Sequence, residues 1–170
     1  MDFYYKYKRR IVKVLNFVLV LIIAVSSRLI ASNGYDVKVV DGDSLEIGNR
    51  RIRLLDIDAP EYKQYCFDAK KNKYNCGKKA YIYLKEMVEN ANYRVECYSE
   101  SVDRYNRELA ECFADNKNLN VEMLRAGWAV TYRTNKEEYF VAEKMAKRNK
   151  NGLWNGKFMR PEYYRKLNKR

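Results

Sequence analysis

A strand-like alternation of apolar and polar residues is the first regular pattern in the chain, and it spans residues 36–61. Three apolar segments, 37–40, 45–47 and 52–57, are separated by an Asp-Gly and a Gly-Asn dipeptide. Short apolar runs bounded by such turn-forming dipeptides are typical of antiparallel strands. The pattern therefore predicts a three-stranded meander over this stretch.

A helical repeat follows, after a polar, lysine-rich loop at residues 62–75. From Gly77 to about Asn90, apolar residues recur three or four positions apart, which is the spacing of one face of a helix. We expect this face to pack against the core. Its members are Ala80, Tyr83, Leu84, Met87, Val88 and Ala91.

Two further helices are predicted near the end of the chain. The first covers residues 119–126 and is stopped by Gly127, which suits a left-handed C-cap. The second opens at Asn135, because Glu138 three residues later completes the pattern of a capping box. We expect this helix to end at residues 151–152, where an Asn-Gly dipeptide stands.

A hairpin is predicted between the first helix and the two later ones, at residues 93–100 and 107–114. Its register places Cys97 opposite Cys112. Strands that come first, with helices interleaved later, predict an α+β domain. The fold we expect is a β-barrel of five strands with about three helices. This domain covers residues 33–156, and residues 157–170 form a basic, solvated tail.

The four cysteines are expected to form two disulfides. Four cysteines allow three pairings, and proximity together with the hairpin register favours Cys66–Cys76 and Cys97–Cys112. A zinc site built from all four is the alternative, although the sequence has no Cys-x-x-Cys pair.

Residues 1–32 combine a basic start with an apolar run from Val14 to Val25 that only Asn16 interrupts. The run is short for a membrane span and suits the core of a signal peptide. We expect either a signal peptide or an uncleaved N-terminal membrane anchor. The domain would then be secreted or periplasmic, or held on the membrane outside the cytoplasm, where disulfides persist.

The net charge of the chain is +12, of which residues 33–170 carry +7. A basic domain attracts polyanions, with nucleic acid as the first candidate and an anionic membrane surface as the second. Solubilising surface lysines are the simpler interpretation. The sequence contains no histidine, which excludes nucleases with a histidine base, serine hydrolases of the triad type and histidine-ligated zinc sites.

Acidic residues cluster where the predicted strands end. Asp41 and Asp43 flank the first turn, and Asp58 follows the third apolar run by one residue, with Glu61 close behind. Folded strands could bring such carboxylates to one hard cation. With Arg53, the set is suited to metal-assisted attack of water on a phosphodiester. Turn formation is the alternative reason for aspartates at these places.

Three blocks, in this order, make the family recognisable: Asp-Gly-Asp-Ser at 41–44, Ile-Arg-Leu-Leu-Asp-Ile-Asp-Ala-Pro-Glu at 52–61, and Asp-Arg-Tyr-Asn-Arg at 103–107. Over about residues 35–155 the chain resembles the thermonuclease (staphylococcal nuclease-like) family. The resemblance implies a five-stranded OB-fold and a monomeric, calcium-dependent nuclease. Its substrates would be DNA and RNA, cleaved without sequence specificity to leave 3′-phosphates.

The resemblance also implies a metal site. Asp43 and Asp58 would ligate the calcium ion, together with the main-chain carbonyl of Ala59, where the best-known member has threonine. A main-chain ligand survives that replacement. Asp41 would either support these ligands from behind or hold the Asp-Gly turn.

The family's catalytic groups match three further positions. Glu61 would orient or deprotonate the attacking water, and Arg53 and Arg107 would hold the phosphate and stabilise the charge that grows on its oxygens.

Substrate contacts are implied as well. Arg104 and Tyr105 would contact a terminal phosphate, and Tyr132, one residue out of register, would stack on a base. Asn106 stands where a glycine is usual, and asparagine tolerates the left-handed conformation.

Two other classes of function remain open at this point. A catalytically inactive OB-fold module could bind nucleic acid with the same fold, although it would not need this set of acids and arginines. A basic membrane-surface or adhesion protein is supported only by the charge and by the apolar N-terminus.

Overall fold

The computed structural model describes residues 36–168. The signal peptide or anchor expected at residues 1–32 lies outside this range. Within it, every helix is too short or too polar to cross a membrane.

Strands dominate the first half of the described chain and helices the second. The strands are β1 (Val37–Asp41), β2 (Ser44–Ile47), β3 (Arg50–Leu54), β4 (Ile57–Asp58), β5 (Tyr65–Phe67), β6 (Lys73–Asn75), β7 (Val95–Val102), β8 (Glu108–Ala114), β9 (Lys117–Asn118) and β10 (Val130–Thr131). The helices are α1 (Cys76–Asn90), α2 (Leu119–Arg125), α3 (Glu137–Asn149) and α4 (Pro161–Leu167), with a 3₁₀ helix at Gly152–Asn155.

The main sheet has the strand order β1-β2-β3-β8-β7, and β9 adds to β8. Its pairs are antiparallel except β3 with β8, which run parallel with Arg53 opposite Leu109. The sheet is therefore mixed, and with its helices it is consistent with the expected OB-like α+β fold. Strand β8 starts directly after the 103–107 turn. The parallel pair therefore places this turn next to β3, the strand that carries Arg53.

The third strand of the meander is shorter than predicted. We expected one strand through residues 52–57, but β3 stops at Leu54 and β4 pairs with β10 in a separate two-stranded sheet. The cause is a turn at Asp56, which has a φ of 64°. The buried side chain of Asn120 holds this turn, because its Nδ2 donates to the Leu55 carbonyl at 2.9 Å.

The core lies between the sheet and the helices. Leu45, Ile52 and Leu54 from the sheet are buried in one cluster with residues of α1. The helical face predicted from the sequence is confirmed. Ala80, Leu84, Val88 and Ala91 are buried, and Tyr83 and Met87 pack against them half-exposed.

Both predicted disulfides are present. Cys66 of β5 joins Cys76, the first residue of α1, and Cys97 joins Cys112 directly across the β7–β8 pair. Because all four cysteines are used in this way, the zinc alternative is wrong.

The helix ends confirm one prediction and correct another. After α2, Gly127 has a φ of 74° and the Trp128 N–H bonds back to the Met123 carbonyl at 2.9 Å, which closes the helix with a left-handed glycine. The capping box at Asn135 is wrong, because α3 begins at Glu137 without a side-chain cap. The hydroxyl oxygen of Thr134 instead accepts the N–H of Lys136 at 3.1 Å.

The C-terminal segment also differs from the expectation of a solvated tail. Residues Pro161–Leu167 form a fourth helix, which begins with a proline in its first turn, and Pro161 is buried. This helix reaches the acidic residues of the first strands through Arg165.

Candidate active site

Two buried carboxylates, Asp43 and Asp58, lie on either side of one guanidinium. Arg53 Nη1 donates to Asp43 Oδ1 at 2.9 Å, and Arg53 Nη2 donates to Asp58 Oδ1 at 2.9 Å. The acids are only 4% and 1% exposed. The predicted convergence of the two acidic turns is therefore confirmed, and what joins them here is an arginine.

Backbone pairing explains how these residues meet. Asp43 directly precedes β2, and the antiparallel register sets its neighbour Ser44 opposite Arg53. Asp43 Oδ2 also accepts the N–H of Ala59 at 3.0 Å, and the Ser44 hydroxyl donates to Asp43 Oδ1 at 3.0 Å. The main chain that follows Asp58 is thus tied directly to the first acidic turn.

Asp41 holds the turn that presents Asp43. Its Oδ1 accepts the N–H of Gly42 at 2.8 Å, which is one of the two roles considered for it. Burial of Asp41, and next the charge of Asp43, raise the pKa of the Asp41 carboxyl to about 7, with a smaller contribution from Glu61. Asp41 is therefore a weaker acid than a free aspartate, first because it is buried and next because Asp43 is close.

Glu61 follows the acidic pair on a segment that the backbone of α1 fixes. Gln64, fully buried, donates its N–H to the Glu61 carbonyl at 2.7 Å, and its Oε1 accepts the Glu61 N–H at 3.3 Å. Gly77, in the first turn of α1, passes so close that a β-carbon there would lie 1.8 Å from the Glu61 carbonyl oxygen. We call Asp43, Arg53, Asp58 and Glu61 the acidic wall.

Residues 103–107, which we call the arginine turn, connect β7 to β8. Asp103 Oδ1 accepts the N–H groups of Tyr105 and Arg107 at 2.9 and 3.0 Å. Its Oδ2 takes Arg107 Nε at 2.9 Å and Nη2 at 2.7 Å, and these bonds help to lower the pKa of Asp103 against the effect of its burial. Asn106 has the left-handed φ of 59° that its position predicted.

Aromatic and basic side chains stand at the mouth of this site. The Arg104 guanidinium lies 4.8 Å from the ring centre of Tyr105 and donates to its hydroxyl at 2.8 Å. Tyr132, whose N–H donates to the Asp56 carbonyl at 2.9 Å, has Arg133 over its ring at 4.9 Å. Tyr105 is exposed and Tyr132 is half-buried, and both line the cleft.

One cleft of about 940 Å³ brings most of these residues together. Asp58 and Ala59 do not line it, because they lie buried directly behind Asp43 and Arg53. Its lining residues are Asp41, Asp43, Ser44, Arg51, Arg53, Glu61, Asp103, Arg104, Tyr105, Arg107, Leu109, Tyr132, Arg133, Glu162, Arg165 and Lys166.

Asp56 does not belong to the site, although it stands two residues before Asp58. Its Oδ2 accepts the hydroxyl of Thr134 at 3.1 Å and lies 4.0 Å from Lys136 Nζ. It therefore joins the 55–58 turn to the segment that precedes α3.

Arg165 is the site residue that the sequence reasoning missed. Its Nη1 donates to Asp58 Oδ1 and to Glu61 Oε1, each at 2.8 Å, and its Nη2 donates to Asp58 Oδ2 at 3.0 Å. A proline at the start of the segment and a Glu162–Lys166 pair four residues apart were the available signals of a helix. Neither signal indicates that the helix reaches residues about a hundred positions away.

A cation site is not preformed in the described part of the chain, where no three acidic or cysteine side chains are grouped to hold a metal. The donors themselves are nevertheless of the kind that a hard cation prefers, namely carboxylates and a main-chain carbonyl. Asp43 and Asp58 bond to adjacent nitrogens of one guanidinium, and Asp41 and Glu61 line the same cleft as Asp43. The residues present therefore fit a divalent cation.

Comparison with known proteins identifies the family of the chain. The family model described as "Staphylococcal nuclease homologue" matches residues 51–156. An uncharacterized endonuclease of Escherichia coli O157:H7 is 33% identical over 129 residues, which are 72% of this chain and 76% of that protein.

Two other relatives are similar over part of their own length. Succinoglycan biosynthesis protein ExoI of Rhizobium meliloti (strain 1021) is 38% identical over 118 residues, which are 68% of this chain and 61% of ExoI. Endonuclease YhcR of Bacillus subtilis (strain 168) is 35% identical over 133 residues, which are 69% of this chain but 11% of YhcR. In both cases the match covers less than two thirds of the relative.

Proposed function

The chain belongs to the staphylococcal nuclease family, and from that premise we propose that it is an exported, calcium-dependent nuclease. It would hydrolyse phosphodiester bonds of DNA and RNA without sequence specificity. The observation that carries the proposal is the cleft that Asp43, Arg53 and Glu61 line together with residues of the arginine turn, with Asp58 buried beside Arg53. A module that only binds nucleic acid has no use for two buried carboxylates and a third, half-exposed one beside them.

Asp43, Asp58 and the carbonyl of Ala59 would hold the calcium ion. When bound, the ion lowers the pKa of water and offsets negative charge on the phosphate. The protein's contribution is to keep these oxygens in place through Arg53 and the Ala59 N–H.

Glu61 would orient the attacking water and accept its proton. Its main chain is held from two sides, by Gln64 and by the start of α1, while its carboxylate lines the cleft. A base must lie within hydrogen-bond reach of the proton that it removes, and this placement supports the assignment.

Arg53 and Arg107 would bind the phosphate from opposite walls. Each presents a planar, permanently charged group, which matches two phosphate oxygens at once. Preorganised charge of this kind stabilises the transition state more than the ground state, because the phosphoryl oxygens gain charge as water attacks.

The mouth of the cleft would bind the polymer. Arg104 and Tyr105 would contact a terminal phosphate, and Tyr132 would stack on a base. Tyrosines beside arginines favour unstacked, single-stranded nucleic acid, because stacking on an aromatic ring needs a free base face. The excess positive charge of residues 33–170 supports binding of a polyanion.

The two disulfides support the proposed location outside the cytoplasm, because such bonds persist mainly in oxidising compartments. Nothing in this assignment requires a second copy of the chain, and we propose a monomer.

The test is a digestion of plasmid DNA, single-stranded DNA and RNA by the full-length protein, in calcium chloride and in a chelator. We expect cleavage in calcium alone, with single strands cut faster and 3′-phosphate ends on the products. Binding of a fluorescent oligonucleotide is measured in the same buffers. Tight binding without cleavage in calcium would favour the inactive OB-fold module instead.

A further inference from the structure

The C-terminal helix α4 places a second guanidinium on the acidic wall, and the proposed reaction gives it no role. Through Arg165, one side chain bridges Asp58, the proposed cation ligand, and Glu61, the proposed base, at distances of 2.8–3.0 Å. This helix lies beyond the segment that the family model matches, which ends at residue 156.

Arg165 uses much of the acceptor capacity of Asp58. A carboxylate has about four lone-pair positions for hydrogen bonds or metal ions. Arg165 takes one on each oxygen, and Arg53 takes a third at 2.9 Å. A calcium ion also needs direct contact with these oxygens, at about 2.3–2.6 Å, so Arg165 and the ion compete for Asp58.

Helix α4 is attached weakly enough to be displaced. Pro161 is its single buried residue, whereas Tyr163 is 56% exposed and Leu167 is 71% exposed. Segments with few buried apolar contacts open at low free-energy cost while the core stays folded. The half-buried Tyr164 adds a hydrogen bond from its hydroxyl to the Lys63 carbonyl at 3.4 Å, and the ion pairs of Arg165 supply much of the remaining polar attachment of α4.

The chain just before α4 is fixed to the same segment that carries Glu61. The buried Gln64 donates its Nε2 to the Met159 carbonyl at 2.7 Å and accepts the Glu61 N–H on its Oε1. Arg160 donates to the Thr131 carbonyl at 2.9 Å. A released α4 would therefore pivot after residue 160 and stay beside the cleft.

We propose that α4 is an autoinhibitory latch, in which Arg165 occupies Asp58 and Glu61 until a divalent cation displaces it. The inference rests on the proposed function, because it takes Asp58 as a cation ligand and Glu61 as the base. In the latched state the charge of Asp58 is compensated by Arg53 and Arg165, and Glu61 is paired with Arg165. Cation binding and water activation both depend on the release of one helix.

Calcium binding without any substrate tests the latch. We would titrate the full-length protein with calcium chloride in a calorimeter, and compare it with Arg165→Gln and with Arg148→Gln, an exposed arginine of α3 outside the cleft. Arg165→Gln is expected to bind calcium ~10-fold more tightly. Arg148→Gln is expected to match the parent protein.

If Arg165→Gln does not fold, as judged by circular dichroism, Arg165→Lys replaces it. Lysine keeps the charge but loses the planar fork that spans both Asp58 oxygens. It is therefore expected to compete less well than arginine, and calcium affinity should still rise.

Hydrogen exchange of the α4 amides gives a second measurement, independent of activity. Calcium is expected to speed exchange in residues 163–168 of the parent protein, because it frees the helix. Equal calcium affinity of the parent and Arg165→Gln, or slower α4 exchange with calcium, would overturn the latch and leave the nuclease proposal standing. Calcium binding that is absent, or unchanged in Asp58→Asn, would overturn the cation site and both proposals.

Discussion

The two walls of the cleft are built in opposite ways. In the acidic wall Asp43 and Asp58 are buried and Glu61 is half-exposed, and tertiary folding completes the wall when Arg165 reaches back to Asp58. The arginine turn is held mainly by Asp103, whose hydrogen bonds stay within residues 103–107, while Arg51 adds one bond to the Tyr105 carbonyl at 3.3 Å. Its Tyr105 is 56% exposed. The positions of the acidic side chains thus depend on the tertiary fold. The arginine turn is mainly a local motif, and its exposed side chains can be reached by a flexible polymer.

Replacing Arg53 with alanine is expected to have the largest effect, because it damages the chemistry and the fold together. Loss of one such electrostatic contact lowers turnover by about 10²–10³-fold. The change also leaves Asp43 buried without a cation, and breaking a buried pair costs about 3–5 kcal/mol. Single-turnover kinetics and chemical denaturation measure the two losses.

Arg50→Ala is the matched control for that experiment, since Arg50 lies on the same strand and pairs with Glu108 at the surface at 2.7 Å. An exposed pair of this kind contributes about 0–1 kcal/mol. If both variants lose equal stability, the acidic wall is not the tertiary structure that we describe.

Glu61→Gln is expected to lower turnover by about 10²–10⁴-fold, the usual contribution of a general base. Glutamine keeps the shape of the side chain, so affinity for a single-stranded oligonucleotide should change little. Steady-state kinetics and fluorescence anisotropy separate the two. Glu86→Gln, at an exposed position of α1, controls for loss of a carboxylate, and an equal fall in binding and turnover for Glu61→Gln would contradict its role.

Arg107→Ala tests the opposite wall. Turnover is expected to fall about 10²–10³-fold, while stability changes by less than about 1 kcal/mol because the ion pair is local and partly solvated. Arg94→Ala removes a comparable pair with Asp115 at the far end of the same hairpin. Unfolding midpoints that drop for Arg107→Ala, but not for Arg94→Ala, would show that this wall is structural after all.

Tyr105→Ala is expected to have the smallest effect. Stacking of one base on an aromatic ring contributes about 1–3 kcal/mol to binding, so KM for single strands should rise with little change in kcat. Tyr98→Ala, an exposed tyrosine of β7 outside the cleft, is the control. A similar KM change in both variants would remove Tyr105 from the binding surface.

Much of the fold follows from local pattern. The face of α1, the glycine that ends α2 and the Cys97–Cys112 register all follow from the sequence. The first two depend on residues a few positions away, and the third on a single hairpin in which the cysteines are 15 positions apart. The arginine turn belongs to the same class. Its aspartate and its left-handed asparagine act within five residues.

What the sequence did not predict depends on distant partners. The apolar run at 52–57 looks like one strand, and its break at Asp56 depends on residues far along the chain, Asn120 and Thr134. A basic, polar tail is typical of a solvated segment. The carboxylates that order it, Asp58 and Glu61, precede Arg165 by more than a hundred residues.

Gly77 shows how little freedom the protein leaves around its proposed base. Main chain rests on main chain there, with no side chain between the helix start and the carbonyl of Glu61. Even the single added methyl of Gly77→Ala, a change that ordinarily favours helices, would drive the whole 61–64 segment outward. The absence of a β-carbon at Gly77 therefore fixes how far the Glu61 main chain lies from α1. A change of the Glu61 side-chain rotamer could not compensate for a shift of that main chain.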